Sequence, residues 1–200
     1  WPEKARLAAK LGFGGVDWDF APAKAAGVDA TRALFTELTI HPTICSIPIQ
    51  QPFAGDDASF RAKLPQLAED AAFTAAIGCN KMMLVLSATS PLPKDEQRRL
   101  VRDRLAAISE VLQRSNIRLG LEFLGPLMLR AKAPHVFIYR MDEMLDFAKE
   151  CGPNIGLLLD SWHWHHAGAT VGDILAAGKS RIVTVHVSDA AKLPPEEVRD

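Results

Sequence analysis

The stretch IGLLLDSWHWHHAG, residues 155–168, joins an apolar run to an aspartate and then to a cluster of aromatic and histidine side chains. A short, near-continuous apolar run such as 155–161 is typical of a strand buried on both faces of a parallel sheet. Asp160 ends that run, and three histidines follow within the next six positions. Because α/β proteins place their chemistry at the carboxyl ends of parallel strands, this stretch predicts both a fold class and a site.

Five further runs have the same character and are predicted to be strands. They are GVDWDF (15–20), TICSIPI (43–49), KMMLVLS (81–87), RLGLEFL (118–124) and RIVTVHV (181–187). Amphipathic segments separate these runs, and the clearest helical patterns cover residues 59–77 and 95–114. Repeated strand–helix units of this kind indicate an α/β protein with a parallel sheet covered by helices.

An open doubly wound sheet and a closed (β/α)8 barrel both show this alternation. The sequence has no G-x-G-x-x-G after the first strand and no phosphate-binding loop, which removes the usual support for an open nucleotide-binding sheet. Gly120 and Glu122 share one strand face and oppose Leu119 and Leu121, a pattern that suits a tight barrel interior. We therefore predict a (β/α)8 TIM barrel, incomplete here with about six of eight strands visible. Residues 1–200 are expected to form a single domain, truncated at both ends.

The composition narrows the class of protein. The chain has 200 residues, 48% of them hydrophobic, and a net charge of −1, which is ordinary for one globular core. Near-neutral charge argues against a nucleic-acid or membrane-surface partner, and no apolar stretch approaches the roughly 20 residues that span a bilayer. Three scattered cysteines indicate free thiols in a reducing compartment. We predict a cytoplasmic protein with no nucleic-acid and no membrane partner.

Glu122, Asp160 and His186 form the strongest functional signal in the sequence. Each lies near the carboxyl end of a predicted strand, and each faces the interior by alternation. Neighbouring strands lie about 4.8 Å apart, so the three side chains can converge on one ion. Taken singly, they could form an ion pair, a helix cap and a structural histidine. Together they predict a site for one divalent metal ion, Mn²⁺, Co²⁺, Mg²⁺ or Zn²⁺.

The segments LGLEFLGP, IGLLLDSWHWHHAG and IVTVHVSDA resemble the xylose-isomerase-like TIM barrel superfamily, the sugar phosphate isomerase/epimerase family that also contains endonuclease IV. The likeness covers essentially the whole chain from AAKLGFGGVDWD onward, and its most specific parts are D-x-x-H and the following H-x-S-D. It implies that Glu122, Asp160 and His186 hold the metal together with a second glutamate, which would lie beyond Asp200. It also implies that His163 contacts the substrate.

The resemblance implies a metal-dependent isomerase or epimerase that acts on a keto-sugar, a sugar phosphate or an inosose. Glu122 is the predicted catalytic base, which removes a proton beside a carbonyl to give an enediolate that the metal stabilises. Trp162, Lys192 and Arg130 are further predicted substrate contacts at the same rim, and Arg130 would suit an anionic group. The expected partner is a small carbohydrate or cyclitol, and a homo-oligomer is left open.

Two other activities fit the same framework. An inosose-type dehydratase, which is a lyase, would use the same metal site. An endonuclease IV-like abasic-site DNA repair enzyme would need several zinc ions and extra histidines on the early strands, and KMMLVLSATS carries none. Because the chain also lacks a basic groove, the isomerase is favoured over the endonuclease.

Overall fold

The structure is a computed structural model that describes residues 1–190 and 193–198, in which short strands alternate with helices. The Cα positions divide the chain into two compact units. The first consists of Trp1–Met83 with Glu110–Arg118, and the second of Leu84–Ser109 with Leu119–Asp200. None of the helices in the described part of the chain is both long and apolar enough to cross a membrane.

The first unit is built from short parallel strands and the helices between them. Its elements are α1 (Pro2–Lys10), β1 (Gly15–Val16), α2 (Phe20–Ala26), α3 (Val28–Leu38), β2 (His41–Pro42), β3 (Cys45–Ser46), α4 (Asp57–Arg61), α5 (Leu64–Ala76) and the start of β4 (Lys81–Val85). β1 pairs with β2 in parallel, and β3 pairs with β4 in the same sense. Phe60, Leu67 and Met82 are buried in its core.

The elements of the first unit differ from the sequence prediction at three places, one of which is the strand predicted over residues 43–49, where β3 covers Cys45–Ser46 alone. The helix predicted over residues 59–77 is two helices, because Asp56 caps α4 through a bond from the Ser59 amide and a new helix begins beside Pro65. Proline fits the first turn of a helix, where its missing N–H costs nothing. The strand predicted over residues 15–20 is also shorter, since it ends at Val16 and α2 starts at Phe20.

The second unit carries the longer strands. Its elements are the end of β4, β5 (Thr89–Ser90), α6 (Lys94–Gln113, which begins here), β6 (Arg118–Glu122), β7 (His135–Val136), α7 (Met141–Cys151), β8 (Ile155–Asp160), α8 (Ser161–His166), α9 (Val171–Ala177) and β9 (Ile182–His186), with 3-10 helices at Leu127–Ala131 and Lys179–Arg181. The predicted helix at 95–114 and the predicted strands ending near 122, 160 and 186 agree with α6, β6, β8 and β9 to within about two residues at each end.

β6, β8 and β9 are neighbouring parallel strands within the second unit. Gly120 on β6 pairs with Gly156 on β8. A Cβ atom on Gly156 would come within 2.5 Å of the Arg181 carbonyl oxygen and 3.0 Å of Val183 Cγ2. The small residues recognised in the sequence therefore allow a close approach of the backbones between β8 and β9.

A register shift in the β8–β9 pair decides which β9 residue faces Asp160. The pairing gains one extra β9 residue between Leu157 and Leu158, a bulge-like irregularity of the ladder. Beyond the bulge, Asp160 pairs with His186. Without the extra residue, Asp160 would stand opposite Val185, and His186 would point to the other face of the sheet, because side chains alternate along a strand.

Candidate metal centre

Glu122, Asp160 and His186 come together at the carboxyl ends of β6, β8 and β9. One potential ligand atom from each side chain lies within 4.8 Å of the other two. Glu122 is 7% exposed and Asp160 9% exposed, and His186 is half-buried. The structure thus contains the convergence that strand alternation predicts, while the role of the three side chains as metal ligands stays a prediction.

Burial dominates the electrostatics of Glu122. The pKa of its carboxyl is raised from an ordinary 4.5 to about 7, and loss of hydration is the largest cause. Repulsion from the neighbouring Asp160 carboxylate also raises this pKa, and His186 lowers it. The strand holds the residue firmly, because its carbonyl oxygen accepts a bond from the Leu86 amide at 2.9 Å and Phe123 beside it is fully buried. A carboxyl that titrates near neutral pH can both accept and return a proton.

Asp160 is fixed by the helix that follows it. It is the N-cap of α8, and its Oδ1 accepts bonds from the amides of Trp162 at 2.7 Å and His163 at 3.2 Å. These bonds satisfy two of the amides that have no partner within the helix. Both cap bonds are accepted by Oδ1, and a carboxylate has a second oxygen with which to bind a cation. Capping and metal binding are therefore compatible roles for Asp160.

A reciprocal hydrogen bond joins the chain just beyond Asp160 to the chain just beyond His186. The Ser161 hydroxyl donates to the Ser188 carbonyl oxygen at 2.8 Å, and the Ser188 amide donates to the Ser161 hydroxyl oxygen at 2.8 Å. The sequence interpretation did not identify Ser161. Its position directly after a predicted ligand at a strand end was the signal that could have singled it out.

His163 and Trp162 lie on α8, next to the Asp160 cap. Both are half-buried, and the Trp162 ring contacts the rings of His163 and His166 edge to face, with centroids 5.0 and 4.9 Å away. The chain after Glu122 packs closely on this helix, because a Cβ on Gly125 would lie 2.0 Å from the His163 carbonyl oxygen. α8 therefore has a fixed place beside the site, and the substrate contacts of His163 and Trp162 stay predictions.

Arg130 and Lys192 complete the set of predicted substrate contacts. The Arg130 guanidinium donates to the carbonyl oxygens of Gly125 and His166, each at 2.9 Å, and lies 3.9 Å from the centre of the Tyr139 ring. These contacts hold the first 3-10 helix to the end of α8, and the role of Arg130 as an anion contact stays a prediction. Lys192 lies outside the residues that the structure describes.

The chemistry of the three side chains fits a divalent cation. Two buried carboxylates side by side repel each other, and the raised pKa of Glu122 reflects that cost in the protein without metal. A cation between them would remove the repulsion, and an imidazole on the third strand completes a donor set that suits borderline to hard divalent metals. The residues present are therefore able to hold such an ion.

Parallel strands that alternate with helices and carry carboxylates and a histidine at their carboxyl ends define an α/β protein of the (β/α)8 barrel class. The chain belongs to the xylose isomerase-like TIM barrel family, whose model matches residues 5–198. The predicted fold class and the predicted family are confirmed by this match.

Individual relatives point in the same direction. The inosose isomerase of Halalkalibacterium halodurans is 28% identical over 102 residues, which are 50% of this chain and 34% of that protein, so the match spans about a third of the relative. A xylose isomerase domain protein from Alicyclobacillus acidocaldarius superposes with a TM-score of 0.89 at 24% identity, over 100% of this chain and 72% of that one. The IOLI protein, solved with a zinc atom, gives 0.78 at 19% identity, over 99% and 71% of the two chains. These two structural likenesses show the fold, and an inosose isomerase is among the sequence relatives.

Proposed function

We propose that this protein is a divalent-metal-dependent isomerase or epimerase that acts on a keto-sugar, a sugar phosphate or an inosose. The convergence of Glu122, Asp160 and His186 on one point carries the proposal. The inosose isomerase among the relatives supports the substrate class. The partner is accordingly a small carbohydrate or cyclitol.

The same three side chains would hold the metal ion. A bound divalent ion supplies Lewis-acid stabilisation of the negative charge that develops on the substrate oxygens. Mn²⁺, Co²⁺, Mg²⁺ and Zn²⁺ all accept a donor set of two carboxylates and one imidazole. The zinc atom in the IOLI structure, which shares the fold, supports a metal in this protein.

Glu122 is the proposed catalytic base. Its ionised carboxylate takes the proton from the hydroxyl-bearing carbon beside the carbonyl. The electron pair of that C–H bond becomes the C=C bond of an enediolate, and the carbonyl π pair moves onto the carbonyl oxygen. The protonated carboxyl then returns the proton to the former carbonyl carbon, while the neighbouring hydroxyl group passes its proton to the enediolate oxygen and becomes the new carbonyl, which completes an isomerisation. Burial raises the pKa of this carboxyl, which makes its carboxylate a stronger base.

His163 and Trp162 are the proposed substrate contacts nearest to the site, since both lie on the helix that Asp160 caps. Arg130 and Lys192 are further proposed contacts, for an anionic group if the substrate carries one. A cytoplasmic location and a single domain over residues 1–200 complete the proposal, which leaves a homo-oligomer open.

An inosose-type dehydratase is the second candidate, because a protonated Glu122 could equally give its proton to a leaving hydroxyl group. The endonuclease alternative is weaker. It requires additional histidine ligands, and within residues 1–190 and 193–198 Glu122, Asp160 and His186 are the one group of three or more residues placed to hold a metal.

Solvent-deuterium uptake tests the proposed reaction. The metal-loaded protein is incubated in D2O with a panel of inososes and keto-sugars, and proton NMR follows each carbon beside the carbonyl. We expect exchange and isomer formation with wild type and neither with Glu122→Gln, whereas an α,β-unsaturated or dicarbonyl product would favour the dehydratase. Equal exchange in the variant would overturn the assignment of Glu122 as base.

A further inference from the structure

We propose that Ser161 is a positioning residue, which holds the carboxyl ends of β8 and β9 together so that Asp160 and His186 meet the same ion. This inference rests on the proposed metal site and names a residue on which its geometry depends. Ser161 itself makes no contact with the ion in this proposal. It acts through the two strand ends.

The Ser161–Ser188 bonds lie at the end of the β8–β9 ladder, beside two of the proposed ligands. Asp160 and His186 are the last residue pair of the β8–β9 ladder, so both proposed ligands lie where the pairing stops. The Ser161–Ser188 link comes immediately after that pair and closes the open end with two bonds of 2.8 Å through one hydroxyl group. A ladder that ends in this way cannot fray without breaking both bonds.

Packing gives the end of β9 little other support. Val185 is 50% exposed and Val187 is 86% exposed, so the residues on either side of His186 bury little apolar surface. Asp160, in contrast, is held by its cap on α8. The bond to Ser161 therefore ties the end of β9, which carries His186, to the strand end that the α8 cap holds.

The two serines of this link contribute different groups to the hydrogen bonds, so the same substitution at Ser188 is a matched control for the one at Ser161. Ser161 contributes its hydroxyl group, whereas Ser188 contributes its backbone amide and carbonyl oxygen. Removing the Ser161 hydroxyl deletes both bonds, and removing the Ser188 hydroxyl deletes neither. Ser161→Ala and Ser188→Ala are thus the same chemical change at the two ends of one link.

The experiment compares wild type with Ser161→Ala, Ser161→Thr, Ser188→Ala and Thr170→Ala. The last variant removes the N-cap of α9 in the same unit and serves as a stability control. Each metal-stripped protein is titrated with Co²⁺, and its Kd and visible absorption spectrum are recorded. We expect Ser161→Ala to raise the Kd about tenfold, comparable to the loss of an outer hydrogen bond at other metal sites, and to change the spectrum. Ser161→Thr keeps a hydroxyl group and should have the Kd and the spectrum of wild type. Ser188→Ala and Thr170→Ala should also match wild type.

Three results would overturn the proposal, and they can be distinguished from one another. Wild-type Co²⁺ binding with an unchanged Kd and spectrum in Ser161→Ala would overturn the role of Ser161 alone. An equal loss in Thr170→Ala would do the same, because the effect would then be one of stability. If wild type bound no Co²⁺, the proposed metal site would fail and this inference would fail with it.

Discussion

At the scale of single residues, the buried position of the Glu122 carboxyl costs the protein stability. The side chain is buried beside the Asp160 carboxylate, and its pKa of about 7 shows how strongly the fold resists its charge. A residue selected for stability alone would not be an acid at this position. The cost is understandable if the charge is needed for a cation and for proton transfer, since strained or disfavoured groups concentrate at functional sites.

The effect of Glu122 on the stability of the protein depends on pH. The folded protein without metal keeps a proton on Glu122 up to about pH 7, whereas the unfolded chain releases it near 4.5, so the free energy of unfolding falls as the pH rises between those values. We expect Glu122→Gln to raise the free energy of unfolding of the metal-free protein above pH 7, by on the order of 1–3 kcal/mol. The gain should disappear below pH 4.5.

Urea unfolding in a chelating buffer at both ends of this pH range measures the difference. Glu110→Gln is the control, because Glu110 is exposed and its substitution should give no gain that depends on pH. A constant gain from Glu122→Gln at acidic and neutral pH would contradict the argument, since it would show that the carboxyl is not titrating in this range.

Asp160 allows its two roles to be separated by two substitutions. Asn caps helices as well as Asp does but lacks the charge, and Ala lacks both properties. We expect Asp160→Asn and Asp160→Ala to lose metal binding equally. Asp160→Ala should be less stable than Asp160→Asn by about 1 kcal/mol, the usual value of an N-cap. Denaturation of the two metal-free variants checks the difference, and equal stabilities would mean that the cap contributes nothing.

At the scale of elements, the strand ends were predictable and the strand pairing was not. The positions of Glu122 and Asp160 at the ends of apolar runs, with glycines on the same face, follow from a period of two. The bulge that brings His186 opposite Asp160 leaves no local signal, because a strand sequence does not state which residues of its neighbour it pairs with. The Ser161–Ser188 link depends on the same pairing, so the position of Ser161 directly after a predicted ligand was the one sequence signal that pointed to it.

The split of the predicted 59–77 helix is a different kind of error. Asp56 as a cap and Pro65 near a helix start are both signals that the sequence contains. The apolar periodicity continues across the break between α4 and α5, and it predicted a single helix despite those two signals. Local capping chemistry, rather than periodicity, decides where a helix ends.

Gly125 tests the packing of α8 against the chain that follows β6. Its Cβ would lie 2.0 Å from the His163 carbonyl oxygen and 2.9 Å from the Ala167 amide nitrogen, so Gly125→Ala must displace the helix. We expect a loss of roughly 1–3 kcal/mol in stability, as for other overpacked sites, together with weaker metal binding, because α8 positions Asp160.

Gly172→Ala is the matched control for this substitution. Gly172 is an exposed residue of α9, and its Cβ would meet nothing nearer than the Thr170 hydroxyl oxygen at 3.4 Å. Alanine in an exposed helix should stabilise the protein by about 0.5–1 kcal/mol. Thermal unfolding compares the two variants, and a neutral Gly125→Ala would show that α8 adjusts without cost.

At the scale of the whole molecule, family membership fixes the fold and leaves the activity to the site. Barrels of this architecture support many reactions, so the function must be argued from particular side chains. Metal binding should couple those side chains to the stability of the entire protein, because an ion that binds only the folded state shifts the unfolding equilibrium.

Calorimetric titration of the metal-stripped protein with Mn²⁺, Co²⁺ and Zn²⁺ tests whether Glu122, Asp160 and His186 hold one metal ion. We expect one ion per chain in wild type, with binding lost in both Asp160→Asn and His186→Ala. Absence of binding in wild type, or binding that survives in both variants, would contradict the convergence of Glu122, Asp160 and His186 on a single ion.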